Sequence, residues 1–386
     1  MRCHILTDRV APFHTGGLEN SILRIAKALR DMGHEICIYI TDETGSEIPP
    51  FMEGIRYISL SGSIGELLEP IEDNYRRNNL YPRAVYHLML NQLSGNDICR
   101  EQDILFSFYI STYGFIQQRV ADSLNLRHAA FVRGSDYSMD MHIPGKMSGI
   151  RYVCSNCSLI ITTNCEQIRN LATVFNLSRE KFRLCHNPVG GRTAGDGTAG
   201  NAPPVDDEIL FISDVGYSWK KGTHILFKAF ERLCHESEAR CKLYLCGTIC
   251  NSEKAYWERE KVRLNGQYPL RIVTDGYSNR FASLYSQASA YVFPSLAEGC
   301  PNALLKALSQ NLTVITTRTG FMAELEDEPD GVYCVKPADS EELFRAMQKV
   351  AGTPLHGNYE KRINLIRNTF SEEKERETLK EIMKVL

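Results

Sequence analysis

Apolar positions recur along this chain in two rhythms, short runs of strand length and helical stripes, and the two alternate. Cys3–Thr7 is an apolar run followed by a loop containing Gly16-Gly17. Ile22, Ile25, Ala26 and Leu29 then fall at i, i+3, i+4 and i+7, which gathers them on one helix face. Gly33 is placed to end that helix, and Glu35–Thr41 resumes the strand pattern. Strand, glycine loop, helix and strand make a βαβ unit, so an α/β fold with a parallel sheet is predicted. Further strands are expected at Ile104–Phe108, Ala129–Val132 and Leu159–Thr162. Residues 64–100 are less regular. Their basic and aromatic stretch (Tyr75, Arg76, Arg77, Tyr81, Arg83, Tyr86) reads as a solvated helical surface, with acceptor or membrane-surface contact as the sharper alternative.

The alternation stops at 190–207, where Gly, Pro, Thr and Asp replace almost every large apolar residue, and this segment reads as a linker. It then restarts. Ile209–Ile212 is strand-like, and Ile225, Leu226, Ala229, Phe230 and Leu233 line a helix face. Strands follow at Lys242–Cys246, Arg271–Val273, Ala290–Phe293, Thr313–Thr316 and Gly331–Val335. The expected organisation is a first domain at 1–189, the linker, and a second domain at 208–371. Glu372–Leu386 reads as a closing helix. Open parallel sheets bind ligands beyond the carboxyl ends of their strands, so two such domains predict a cleft between them.

Composition narrows the function classes. The chain has 386 residues and a formal net charge of −3, so no basic field points to nucleic acid. The first residues hold no long apolar stretch or cleavage site, and no segment reaches the roughly 18 apolar residues of a membrane span. The expectation is a cytoplasmic protein, with peripheral contact at the inner face of a membrane left open. The 13 cysteines are expected to be reduced. Cys154 and Cys157 form a CxxC without a second pair of similar spacing, so no metal site is assigned.

The chemistry concentrates in Phe293–Ala307. A strand ends at Phe293, a short loop carries Glu298 and Gly299, and Pro301 stands where a helix begins. Free amides at that helix start, near Asn302 and Ala303, suit an anion such as a diphosphate. A carboxylate beside them can accept hydrogen bonds from sugar hydroxyls.

This stretch resembles the PS-x-x-EG-x-P-x-x-x-LEA signature of glycosyltransferase family 4, retaining enzymes of GT-B fold. Gly16-Gly17-Leu18-Glu19 with the Met32–Glu35 turn, Asn187-Pro188-Val189, Lys220-Lys221-Gly222 and Thr317–Glu324 resemble further elements of the same family, in the same order. The resemblance implies two Rossmann-like domains, with a nucleotide-diphosphate sugar as co-substrate, no separate cofactor and no metal. It implies that Lys221 contacts the diphosphate and Glu298 the donor sugar. It further implies that the amides near Asn302 and Ala303 hold phosphate oxygens and that the Gly16-Gly17 loop approaches from the other domain. The acceptor would be a sugar, a glycan or a lipid-linked hydroxyl, and the last helix would return to the first domain.

The sequence departs from the family at three places. The second acid of its E-x7-E pair is Lys306, its Gly-Arg strand end is Ser213-Asp214, and its histidine before Gly-x-Asp is Arg133. The first two are opposite in sign, so pocket charge is conserved. Lys306 is therefore expected to share the phosphate neutralisation or to pair with Asp214, and Arg133 to hold the donor sugar or a charged acceptor. Asp136, Tyr137, Asp140 and His142 read as an irregular surface loop, and His128 as structural. Two other functions stay on the table: an impaired homologue acting as a binding or scaffold protein, and a nucleotide-sugar epimerase of the same architecture.

Overall fold

Uninterrupted apolar runs predict strands covered on both faces, and the strands carry out that expectation. All five residues of Asp103–Ser107 and all four of Ala290–Phe293 are buried. The computed structural model describes residues 1–9, 17–41, 53–60, 63–64, 74–95, 98, 101–189, 208–268, 272–275, 283–325, 327–352 and 359–386. They fall into two units, Met1–His186 with Glu375–Leu386, and Asn187–Lys374. Gly16 and the segment read as a linker, 190–207, lie outside the described residues.

The first unit contains β1 (Arg2–Thr7), β2 (Glu35–Ile40), β3 (Ile55–Ser59), β4 (Asp103–Ser107), β5 (Arg127–Phe131), β6 (Leu159–Thr162) and β7 (Phe182–Leu184). They form one parallel sheet in the order β3-β2-β1-β4-β5-β6-β7. Helix α1 (Gly17–Asp31) buries Ile22, Ile25, Ala26 and Leu29 as its periodicity requires, and Gly33 follows it with φ +88°. Strands β3 and β7 escaped the sequence pattern, one because half its side chains face outward, the other because it has three residues. The irregular stretch is corrected too. Helix α2 (Asn74–Ser94) runs through it and past Pro82, and Val85, Met89 and Leu93, four apart, are buried against the sheet.

The closing helix joins this unit. Leu379, Ile382, Met383 and Leu386 sit in the same core as Ile22 and Ile25. Glu375, buried, accepts Arg24 Nε and Nη2 at 2.8 and 2.9 Å, a forked pairing that fixes orientation.

The second unit is a six-stranded parallel sheet in the order β10-β9-β8-β11-β12-β13. Its strands are β8 (Glu208–Ser213), β9 (Arg240–Cys246), β10 (Ile272–Asp275), β11 (Ala290–Phe293), β12 (Thr313–Thr317) and β13 (Val332–Val335). The segments entering β12 and β13 are pinned by Arg362, which is 2% exposed. That guanidinium donates to the carbonyls of Leu308, Gln310, Leu312 and Asp330 at 2.6–3.1 Å and stacks on Tyr359. Burial pulls its pKa down to about 10.

Candidate functional site

In the second unit the chain runs outward from β8 through β9 to β10, then crosses back to place β11 on the other side of β8. Crevices for ligands open beyond the carboxyl ends of strands at such a reversal. Here they are the ends of β8 and β11, and the loops leaving them carry Lys221 and Glu298.

The two loops touch backbone to backbone, and glycine permits it. Gly222 has φ +70°, and a Cβ there would lie 1.9 Å from the carbonyl oxygen of Pro294. No side chain fits. Leu296 N donates to Lys220 O at 2.8 Å and completes the junction. Gly222 also ends the turn before helix α7 (Thr223–Glu236), so Lys221 is held at the rim while its neighbours are committed to packing.

Lys221 Nζ lies 2.7 Å from Glu298 Oε1. Ser295 Oγ donates to the same carboxylate oxygen at 2.7 Å. The lysine is about a third exposed and the glutamate 9%, so the pair sits at the surface without being swamped by water. The loop bearing Glu298 is braced from further sides. Gly320, at φ +56°, presses on Gly299, where a Cβ would meet the Gly299 oxygen at 2.2 Å. Phe321 N donates to that oxygen at 3.0 Å, and Asn187 Nδ2 donates to Cys300 O at 2.7 Å. A carboxylate on so fixed a loop is pre-organised.

Pro301 proves to be the cap residue rather than the first helical one. Helix α8 is Lys254–Gln267, and the short helix α9 begins at Asn302 and ends at Leu308. Leu305 N bonds back to Pro301 O at 3.1 Å, so the amides of Asn302, Ala303 and Leu304 precede the first turn's bonding. Asn302 and Ala303 are half-buried, and Asn302 Oδ1 is buried.

An aromatic ladder runs along the same rim. Tyr285 stacks on Tyr291 at 5.8 Å and Tyr291 on Phe293 at 6.3 Å, with planes within 18°. Lys306 Nζ stands 4.9 Å from the Tyr285 ring centroid and Lys221 Nζ 5.8 Å from that of Phe293, distances at which a ring's quadrupole attracts an ammonium. Asp214 accepts the Tyr291 hydroxyl at 2.5 Å. Burial raises its pKa, while Tyr291, Lys306 and Lys221 pull it back. Lys221, Glu298, Lys306 and Asp214 therefore share one rim. Sequence reading did not include Ser295, Tyr285 or Tyr291 in it. Tyr291 and Phe293, two apart on one strand, share a face, and that spacing was the available signal.

In the first unit Arg133 follows β5. Its guanidinium lies 5.2 and 5.0 Å from the rings of Phe108 and Phe131, which stack on each other. Its pKa is lowered to about 10, by burial first and by Arg24 second. Asp136 is not on a surface loop: it is fully buried in the short helix α4 (Ser135–Ser138). It accepts the backbone N–H groups of Ile110, Arg133 and Tyr137 at 3.0–3.2 Å, and burial pushes its pKa up to about 6. His128 is buried between Gln118 and Ser107, its pKa lowered by burial to about 3. Cys154 and Cys157 are buried free thiols. Among the described residues no group of three or more His, Cys, Asp or Glu is placed to hold a metal, and no helix is long and apolar enough to cross a membrane. Gly17 opens α1 and is exposed.

Residues 206–352 match the family model described as Glycosyl transferases group 1. No curated protein matches the chain. Three similar solved structures are a lipopolysaccharide outer core galactosyltransferase, WaaB, without ligand (12% identity, TM-score 0.70, all of both chains covered), HepE of Anabaena in complex with UDP (13%, 0.72, all of both chains), and a sucrose-phosphate synthase from Thermosynechococcus elongatus (15%, 0.73, 99% of this chain and 98% of that one). At these identities the likeness establishes the fold, which is GT-B.

Proposed function

We propose that this chain transfers a sugar from a nucleotide-diphosphate sugar to a hydroxyl acceptor. The observation that carries the reading is the Lys221–Glu298–Ser295 cluster, held at the reversal of the second sheet by the contact of Gly222 with Pro294. An ammonium suits a diphosphate, and a fixed carboxylate suits the hydroxyls of the sugar attached to it. The family match over 206–352 covers this cluster, and HepE, of the same fold, is solved with UDP, with UDP and glucose, and with UDP-glucose.

In the proposed reaction the bond from the anomeric carbon to the leaving phosphate oxygen breaks as the acceptor oxygen bonds on the same face. The acceptor proton passes to the departing phosphate, and configuration is retained. Negative charge grows on the diphosphate. Lys221, Lys306 and the amides of Asn302 and Ala303 are the groups proposed to neutralise it, without a metal ion. Glu298 orients the donor sugar, and Gly299 lets backbone approach it. Arg133 with the glycine loop at Gly16-Gly17 is assigned to the acceptor side.

The test is a thermal-shift and calorimetric screen with UDP, GDP, ADP, CMP and dTDP, with and without magnesium. One diphosphate is expected to stabilise the chain equally in both conditions and to lose its effect in Lys221→Ala. Stabilisation by none of them would leave a scaffold role in its place. Turnover that yields an isomerised nucleotide sugar instead of a glycoside would favour an epimerase.

A further inference from the structure

Asp214 is a carboxylate set among groups that otherwise suit anions, and the reaction above gives it no part. It leaves the end of β8 and accepts the Tyr291 hydroxyl at 2.5 Å. Among the described residues, the charged and titratable groups facing it come from elements of the same rim. Tyr291 lies on β11 and Tyr285 just before it, Lys306 on α9, and Lys221 on the loop after β8. Cys246, at the end of β9, faces the same two tyrosines, and Glu298 is joined to Lys221 at 2.7 Å. Among the described residues, two ammonium groups and two carboxylates thus balance.

A nucleoside diphosphate entering here takes over the lysines and brings at least two negative charges beside Asp214. A like charge disfavours ionisation of a carboxylate, and partial burial already does the same. The relief is a proton from solvent on Asp214 Oδ2, with Tyr291 keeping Oδ1.

We infer that Asp214 is an exchangeable counter-charge: it balances Lys306 and Lys221 while the pocket is empty, and it takes up a proton when a nucleoside diphosphate becomes their partner. The inference rests on the second unit being a nucleotide site, and it makes Asp214 a positioning residue.

The experiment is isothermal calorimetry of the full chain with UDP-glucose and GDP-mannose, whose diphosphates do not titrate near neutrality. It is run from pH 6 to 9 in two buffers of different ionisation enthalpy. Wild type is expected to take up a fraction of a proton near pH 7 and to bind on the order of tenfold more weakly at pH 8.5 than at 6.5, one decade per coupled unit of pKa. Asp214→Asn is expected to bind without proton uptake and with a flat pH profile. Tyr291→Phe removes the hydroxyl that favours the charged carboxylate, so its uptake moves to higher pH. Lys306→Met is expected to weaken binding roughly tenfold or more. Proton uptake unchanged in Asp214→Asn overturns the inference. So does binding that is lost in Lys221→Ala yet independent of pH in wild type, an outcome that leaves the nucleotide site standing. Binding of neither nucleotide sugar, nor of any nucleotide in the wider screen, removes both.

Discussion

The two sheets wind alike, yet their carboxyl rims treat charge differently. In the first unit the carboxylate at the rim, Asp136, accepts three backbone N–H groups and is wholly buried. In the second, Glu298 accepts a lysine and a serine side chain and keeps a small exposed edge. Backbone partners cannot leave without unfolding the loop, whereas a lysine can exchange one anion for another. The partner of a rim carboxylate therefore separates scaffold from site better than its position does. The two lowered arginines repeat the lesson. Arg362 and Arg133 are both brought down to about 10, but Arg362 fastens four carbonyls, while Arg133 lies against two rings at a rim.

Gly222→Val strikes the second rim hardest. Its Cβ would overlap the Pro294 oxygen at a φ that branched residues reject. We expect loss of several kcal/mol, on the order of a large core disruption, together with loss of nucleotide binding, both read by thermal melts. Gly145→Ala, in the first unit and with nothing within 4 Å, is the control and should shift stability by less than about 0.5 kcal/mol. Equal effects would remove the difference between the two rims.

Arg362→Met should cost about 3–5 kcal/mol in urea unfolding, because four carbonyls lose a buried donor. Weak binding in the folded fraction would show that the pin reaches the site after all. Lys221→Ala should leave the melting temperature nearly unchanged and lower kcat/KM by a factor on the order of 10². A large melting shift would instead mark Lys221 as scaffold.

A further effect is a pH dependence of stability in the first unit. Asp136 has a folded pKa of about 6, above the roughly 3.9 of an unfolded aspartate, so the native state holds more protons between those values. Its contribution is favourable at low pH and declines as pH rises through 4 to 6. His128 runs the other way. Its folded value of about 3 lies below an unfolded value near 6.5, so stability declines as pH falls below 6.5. Stability curves of Asp136→Asn and His128→Gln, each subtracted from wild type, should slope oppositely in the window from 4 to 6. Parallel differences would refute the assignment.

Much of this was legible in the residues. The alternation of runs and stripes gave the strands of both sheets apart from β3 and β7, because buried parallel strands need unbroken Ile, Leu, Val and Phe. In the sequence helix α2 shows only as a solvated helical surface, because Pro82 interrupts it and Arg76, Arg77 and Arg83 stand ahead of its core positions Val85, Met89 and Leu93. Lys221, Glu298 and Lys306 could be named because the loops that carry them have short, fixed spacings. Ser295 could not be paired with Glu298 from spacing alone, since the bond depends on how the loop folds. Asp136 looks like a loop residue in the sequence because its partners are backbone amides, which a sequence does not display.

The return of Glu375–Leu386 to the first sheet has a consequence during synthesis. The core around Ile22 and Ile25 includes Leu379, Ile382 and Met383, which leave the ribosome only after all of Asn187–Lys374. At about 5–20 residues per second that is a wait of roughly 10–40 s. For that interval the nascent first unit presents an open apolar seam along α1, where a chaperone would find its hold and where a truncated chain would aggregate.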